Sequence, residues 1–261
     1  MRYAKKSLGQ NFLIDKNIIN KIINLTNIEN RDIVEIGPGK GALTEEILKK
    51  KPKSLTLIEK DINLVKDLKI KFSEDKKIKI FNKDILDFDL EGLVKDKAII
   101  FGNLPFNISS QILVKIIKFK NWEPKFKDLI FMFQKELGEK ILGKYKTKNY
   151  SRISILTSYR LQSRKEFLVS ENCFFPKPKV TSIVIHFKPK KNKFFNIKNI
   201  STLEKVTNIL FSNKRKMINK NIKKILSKNE ISKIPQISLQ ARPSELKPEI
   251  YYKIAELIEV R

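Results

Sequence analysis

Arg31-Asp32-Ile33-Val34-Glu35-Ile36-Gly37-Pro38-Gly39-Lys40-Gly41 is the stretch on which the reading of this chain turns. Residues 31–36, rich in β-branched side chains, predict a strand, and 42–50 a helix, with three alternate glycines between them. Gly37 and Gly39 let the backbone come close to a ligand, and Gly41 lets helix and strand pack closely. The spacing is G-x-G-x-G, not the dinucleotide G-x-G-x-x-G, which disfavours an NAD-dependent oxidoreductase. No Gly-Lys-Ser/Thr follows, so a nucleoside triphosphate loop is also disfavoured.

Outward from that stretch the same rhythm repeats. Strands are predicted at 54–59, 78–82, 98–101 and 129–133, and helices at 62–72 and 108–119. Near-continuous apolar strands alternating with helices imply a buried, mostly parallel sheet covered on both faces. Two more strands, at 166–169 and 182–187, are joined by a Pro-rich link and read as an antiparallel pair closing the sheet. After the basic linker 188–193 the pattern turns helical, with amphipathic runs at 201–212, 214–226 and 249–260 and Pro248 at a first-turn position. The expected architecture is α/β with a small all-helical C-terminal domain, divided into 1–193 and 194–261.

Composition narrows the function. In 261 residues, 55 Lys+Arg face 28 Asp+Glu, a formal net charge of +27 that points to a polyanion, nucleic acid first. Only eight of the basic residues are arginines, and the wealth of Lys, Asn and Ile also suits an AT-rich genome. Clustering is not explained that way. Residues 211–224 hold Lys214, Arg215, Lys216, Lys220, Lys223 and Lys224 with no acid, and 176–193 hold six lysines with none. No apolar run approaches the ~18–20 residues that span a bilayer. The basic Met1-Arg2-Tyr3-Ala4-Lys5-Lys6 has no apolar stretch after it, so secretion is not expected. Cys173 is the only cysteine, which excludes an internal disulfide and a multi-Cys metal site and fits a reducing cytoplasm. The single histidine, His186, lies in an apolar run and reads as a sheet residue.

Candidate site residues follow from strand ends. Glu59 ends the second strand, where a carboxylate can accept from both ribose hydroxyls; Asp84, just past the third, can accept from an adenine amine. The fourth strand ends in Phe101-Gly102-Asn103-Leu104-Pro105-Phe106. An adenine N6 is a poor nucleophile because its lone pair is delocalised, and two hydrogen-bond acceptors on its N–H groups localise that pair. The Asn103 side-chain oxygen is one acceptor. Pro105 biases Leu104 out of the helical region and can aim the Leu104 carbonyl as the second. Phe106 can stack on the base.

With these residues assembled, the chain resembles the ribosomal RNA adenine N6-dimethyltransferases, most closely those of the small subunit, almost end to end. The resemblance implies a Rossmann-like class I methyltransferase fold, with S-adenosylmethionine as cofactor and no metal. Gly9-Gln10-Asn11-Phe12-Leu13 is similar to the family's N-terminal motif, so Asn11 and Leu13 would contact the cofactor. Gly37 would face its methionine moiety, with Gly39 beside it, Glu59 its ribose and Asp84 its adenine. Asn103-Leu104-Pro105-Phe106 is similar to the catalytic motif, with Phe106 where Tyr is commoner. Phe174-Phe175-Pro176-Lys177-Pro178-Lys179-Val180-Thr181-Ser182 is similar to F-x-P-x-P-K-V-D-S, with Thr181 for Asp. There Phe174 would close on the target adenine opposite Phe106. RNA would be held by Lys179 and by Lys214, Arg215, Lys216, Lys220 and Lys223. Lysine stands where relatives often carry arginine, which reduces bidentate contacts. Arg242-Pro243-Ser244-Glu245 is similar to an R-P-E-like turn. The implied activity is dimethylation of adenosines, two of them adjacent, in a hairpin near the 3′ end of small-subunit rRNA. The implied setting is the immature small subunit, away from membranes, with a monomeric enzyme. A large-subunit methylase conferring antibiotic resistance and an assembly factor acting by binding are the alternatives.

Overall fold

The computed structural model describes residues 9–191, 194–234 and 237–260; the basic Met1–Lys6 stretch and the last two residues of the 188–193 linker lie outside these. The first strands and helices are β1 (Phe12–Leu13), α1 (Lys16–Ile23), β2 (Asp32–Ile36), α2 (Ala42–Lys49) and β3 (Ser54–Glu59). They continue through α3 (Ile62–Lys71), β4 (Ile78–Asn82), α4 (Leu90–Leu93), β5 (Ala98–Asn103), α5 (Ser109–Ile117) and β6 (Phe126–Gln134). After α6 (Lys135–Ile141) and α7 (Arg152–Arg160) come β7 (Leu161–Val169), β8 (Phe174–Phe175) and β9 (Ser182–Pro189). Helices close the chain: α8 (Ile200–Phe211), α9 (Asn219–Ile222), α10 (Lys228–Ser232) and α11 (Pro248–Glu259).

Seven strands form one sheet in the order β4-β3-β2-β5-β6-β9-β7. The β2–β3, β3–β4, β2–β5 and β5–β6 ladders are parallel, and β9 runs antiparallel to β6. The parallel strands in the middle are apolar on both faces because helices cover both: Ile99, Ile100, Phe101, Leu129 and Phe131 are fully buried. β4, at an edge, is only partly buried. Helix starts follow the sequence: Asp15 and Asp61 cap α1 and α3, each accepting from backbone N–H groups of the first turn.

By its contacts the chain divides into two units. One runs to Gly138 and resumes over Ser163–Pro189; the other comprises Glu139–Gln162 and the chain from Lys190 onward. The expected division at 193/194 therefore differs in the placing of 139–162. That segment is held to the C-terminal helices by tyrosines: Tyr150 Oη donates to the Leu246 carbonyl (3.0 Å) and Tyr252 Oη to that of Ile155 (3.2 Å). The helix expected over 214–226 is also shorter, reduced to α9. The Ile218 N–H bonds to the Ala241 carbonyl at 2.9 Å, which diverts the backbone where an α-helix would return it to residue 214.

His186 and Asp128 meet inside the sheet, His186 Nε2 lying 2.7 Å from Asp128 Oδ1, while Thr26 Oγ1 donates to Asp128 Oδ2 at 2.9 Å. Burial works to raise the Asp128 pKa, but these hydrogen bonds outweigh it and hold the carboxyl below its usual 3.8. A lowered carboxyl pKa contributes stability above the unfolded value that is lost as pH falls through the folded one. Asp128→Ala is expected to lower the unfolding free energy by about 3 kcal/mol at pH 7 in urea denaturation. The difference should narrow below about pH 4, where the carboxyl takes up its proton.

Candidate active site

The carboxyl ends of β2, β3, β4 and β5 open on one cavity of about 450 Å³, where open α/β sheets bind ligands. All seven residues expected to hold a cofactor line it: Asn11, Leu13, Gly37, Gly39, Glu59, Asp84 and Asn103. Leu104, Pro105 and Phe106 do so as well.

Gly39 and Gly41 explain why the loop needs glycine. Both have positive φ, +59° and +77°. A Cβ on Gly39 would stand 2.9 Å from the Phe12 ring, and one on Gly41 would stand 2.9 Å from Phe72 and 3.0 Å from Leu68. The close approach at Gly41 is thus to α3 and the residue after it, not to a strand. Glu59 ties the loop down. Its Oε2 accepts from the Gly39 N–H (3.3 Å) and its Oε1 from the Asp61 N–H (2.9 Å), at 8% exposure. Burial raises its pKa and these backbone donors pull it back only in part. With the Lys60 N–H as a third backbone donor, the carboxylate still keeps lone-pair capacity for a ligand hydroxyl. At Asp84, the Lys60 ammonium 2.6 Å away holds the carboxyl below its usual pKa, and Oδ1 accepts from the Leu86 N–H.

The N-terminal segment crosses the loop that follows β5. A Cβ on Gly9 would lie 3.0 Å from Asn107 Oδ1 and 3.7 Å from the Phe106 nitrogen. Asn103 Nδ2 donates to the Asn11 carbonyl at 3.1 Å. Among the described residues nothing donates to Asn103 Oδ1 or to the Leu104 carbonyl. Gly102 leaves room for the buried Leu104 side chain, which a Cβ there would meet.

Phe174 departs from expectation. It pairs with Leu13 across the β1–β8 ladder, is 3% exposed, and packs in the core with Leu13 and Val184 without lining the cavity. Successive strand residues face opposite ways, so the pleat that turns Phe174 inward turns Phe175 outward. The expected RNA-contacting residues Lys179, Lys214, Arg215, Lys216, Lys220 and Lys223 are all exposed.

Glu35 was not singled out from the sequence, yet it lines the cavity at 2% exposure and accepts from Thr44 Oγ1 at 2.7 Å. A lone acid within the apolar run Ile33-Val34-Glu35-Ile36 was the available signal. Nothing in composition marked Ile85 or Leu86, which also line it. The acids Glu35 and Glu59 are buried, whereas the lining lysines Lys40, Lys60, Lys71 and Lys83 are exposed. An acidic floor under a basic rim suits a cationic ligand below a polyanion. At Gly37 a Cβ would come within 3.8 Å of the Asn103 carbonyl and Pro105, filling the gap between the glycine loop and the loop after β5. These residues fit a ribose-bearing cation.

The ribosomal RNA adenine dimethylase family matches residues 1–259. The ribosomal RNA small subunit methyltransferase A of Pelagibacter ubique is 44% identical over 257 residues, covering 98% of this chain and 97% of its own. That of Malacoplasma penetrans is 40% identical over 257 residues, covering 97% and 91%. Among solved structures, a dimethyladenosine transferase from Plasmodium falciparum superposes with TM-score 0.76 at 25% identity, over 93% of this chain and 95% of that one. A 23S rRNA methyltransferase shares the fold at TM-score 0.69 and 21% identity, over 95% and 100%. The sheet order and the cavity at its carboxyl edge are those of the class I methyltransferases. The chain belongs to the ribosomal RNA adenine dimethylase family.

Burial, with the charge of Glu59 adding to it against the Thr44 hydrogen bond, pushes the Glu35 carboxyl up to about 7 from 4.5. A raised pKa means stability that is present at low pH and lost as pH rises through the folded value. Glu35→Gln removes that loss. Its stability relative to the unsubstituted chain is expected to rise by about 3 kcal/mol between about pH 4 and pH 8, read by urea denaturation at each pH.

Proposed function

We propose that this chain dimethylates the N6 amino group of adenosines, two of them adjacent, in a hairpin near the 3′ end of small-subunit rRNA. The substrate on this reading is the immature small subunit, and the enzyme is a cytoplasmic monomer. Its family and the names of its relatives support the reaction class. Among the described residues no helix is long and apolar enough to cross a membrane.

One observation carries the mechanism. Asn103 spends its amide nitrogen on the Asn11 carbonyl, which leaves Oδ1 as an acceptor at the cavity, close in sequence to the unengaged Leu104 carbonyl. Bound S-adenosylmethionine supplies a methyl made electrophilic by its sulfonium. The chain's own residues do the rest. Asn103 Oδ1 and the Leu104 carbonyl accept the two N6 protons' hydrogen bonds and localise the nitrogen lone pair for in-line attack. Phe106, half-buried at the cavity, stacks on the extruded base and fixes its plane. Glu59 orients the ribose and Asp84 the adenine of the cofactor, while Asn11, Leu13, Gly37 and Gly39 shape the methionine end. No side chain needs to remove a proton before attack; the work is orientation and hydrogen bonding. The unit that carries the cavity would do this chemistry, and the C-terminal helices, with Lys179, would hold RNA phosphates.

Asn103→Ala is expected to cut the rate of tritiated-methyl transfer onto purified immature small subunits by ~10²–10³-fold. Dimethyladenosine should appear in small-subunit rRNA; its appearance in the large subunit alone sinks the reading. Replacing Lys214, Arg215 and Lys216 together by Ala is expected to weaken RNA binding and to flatten the log affinity against log salt slope by ~2–3.

A further inference from the structure

Phenylalanine rings are normally buried, and among the described residues only Phe175 and Phe194 are exposed. Phe175, at 57%, does not itself line the cavity but pairs with Phe12, which does. In the β1–β8 ladder it lies directly across from Phe12, so the two side chains leave the ribbon on the same face. Phe12 lines the cavity and is covered on its own ring by Lys40 Nζ, 5.0 Å from the centroid. Ile14, two residues on and therefore on that face again, is 56% exposed and also lines the cavity; its N–H bonds to the Cys173 carbonyl at 2.9 Å and prolongs the ladder. The outward face thus carries an apolar strip along one wall of the site, and among the described residues Phe175 makes no ring contact.

Cations lie near the strip along the chain, and one reaches over it. Lys177 and Lys179 follow Phe175 within four residues and are exposed, Lys177 standing 3.8 Å from Glu171, and Lys40 reaches over Phe12. An exposed aromatic face bordered by lysines is the arrangement that holds an unstacked nucleotide, base on the ring and phosphate on the cations. The strip is also within reach of the catalytic loop. Gly9 packs on Asn107 and the Phe106 nitrogen, and Phe12 is three residues further along an extended segment, a span of at most ~11 Å.

We propose that Phe175 is a substrate-positioning residue: its ring stacks on a nucleotide flanking the extruded adenosine, and Lys177 and Lys179 hold the adjoining phosphates. The proposal rests on the RNA-methylating function above and adds to it a second aromatic contact outside the cavity. It gives Phe175 a role distinct from that of Phe106, whose ring would meet the reacting base itself. It also accounts for the exposure of one phenylalanine of an adjacent pair whose other member is buried.

The test is steady-state methyl transfer onto immature small subunits by the full chain and by Phe175→Ala, Phe175→Tyr and Phe175→Leu, with S-adenosylmethionine binding followed by calorimetry. Phe175→Ala is expected to raise KM for the subunits ~5- to 100-fold while kcat and cofactor affinity stay within about twofold. Phe175→Tyr should restore KM, and Phe175→Leu should not. An unchanged KM in Phe175→Ala overturns the proposal, and so does rescue by Leu equal to that by Tyr, which would mark apolar packing. A wild-type dimer that Phe175→Ala dissociates would assign the face to a second copy and overturn it too. Absence of transfer by the unsubstituted chain would instead remove the function on which the proposal stands.

Discussion

The hydrogen bond from Asn103 Nδ2 to the Asn11 carbonyl is the constraint on which the site depends. A free amide can present either its acceptor oxygen or its donor N–H₂ to a ligand. Committing the nitrogen to a backbone carbonyl fixes the orientation, so Oδ1 is the end left for the cavity. The bond joins residues 92 positions apart, and it is held from both sides. Gly102 leaves room for the Leu104 side chain, Gly9 lets the N-terminal segment lie against Asn107, and pairing of β1 with β8 anchors that segment beyond Asn11. Loosening any of these would let the amide rotate before it disturbed the sheet.

Electrostatics divides the same site by depth. The chain is strongly cationic overall, which favours encounter with RNA but would disfavour a cationic cofactor. The cavity answers with Glu35 and Glu59 in its buried part, where the dielectric is low and each charge counts for more. Burial also makes these charges costly. Glu35 sits at a pKa near neutrality, so a bound cation nearby would favour its ionised form. The lysines stay at the rim, where water screens them from the floor.

What could be read from the sequence follows from how local its physics is. The apolar runs of β2, β3, β5 and β6 announce a buried parallel sheet because both faces are covered, and the glycine loop announces itself because no Cβ fits at Gly39 or Gly41. The cavity-lining strand-end residues Glu59, Asp84 and Asn103 were legible for the same reason: strand ends in such a sheet converge on one edge. The membership of 139–162 in the second unit was not legible, since it depends on Tyr150 and Tyr252 finding carbonyls about a hundred residues away. The break in 214–226 likewise depends on Ala241, outside any local window. Glu35 was visible as a lone acid in an apolar strand, but its burial beside Glu59 needs the third dimension.

Phe174 and Phe175 show where a motif stops being informative. Matching F-x-P-x-P-K fixes which segment borders the site, and the structure does bring β8 beside β1 at the cavity. It does not fix which ring faces outward, because side chains alternate along a strand and a shift of one residue exchanges core for solvent. The deciding information lies in β1. Leu13 joins the core cluster, so its partner Phe174 must as well, and Phe12 is excluded from that face by the Gly39 turn against which its ring packs. A core contact at Leu13 and a glycine-dependent one at Phe12 therefore set the orientation of an aromatic pair more than 130 positions away, and with it which ring is left exposed.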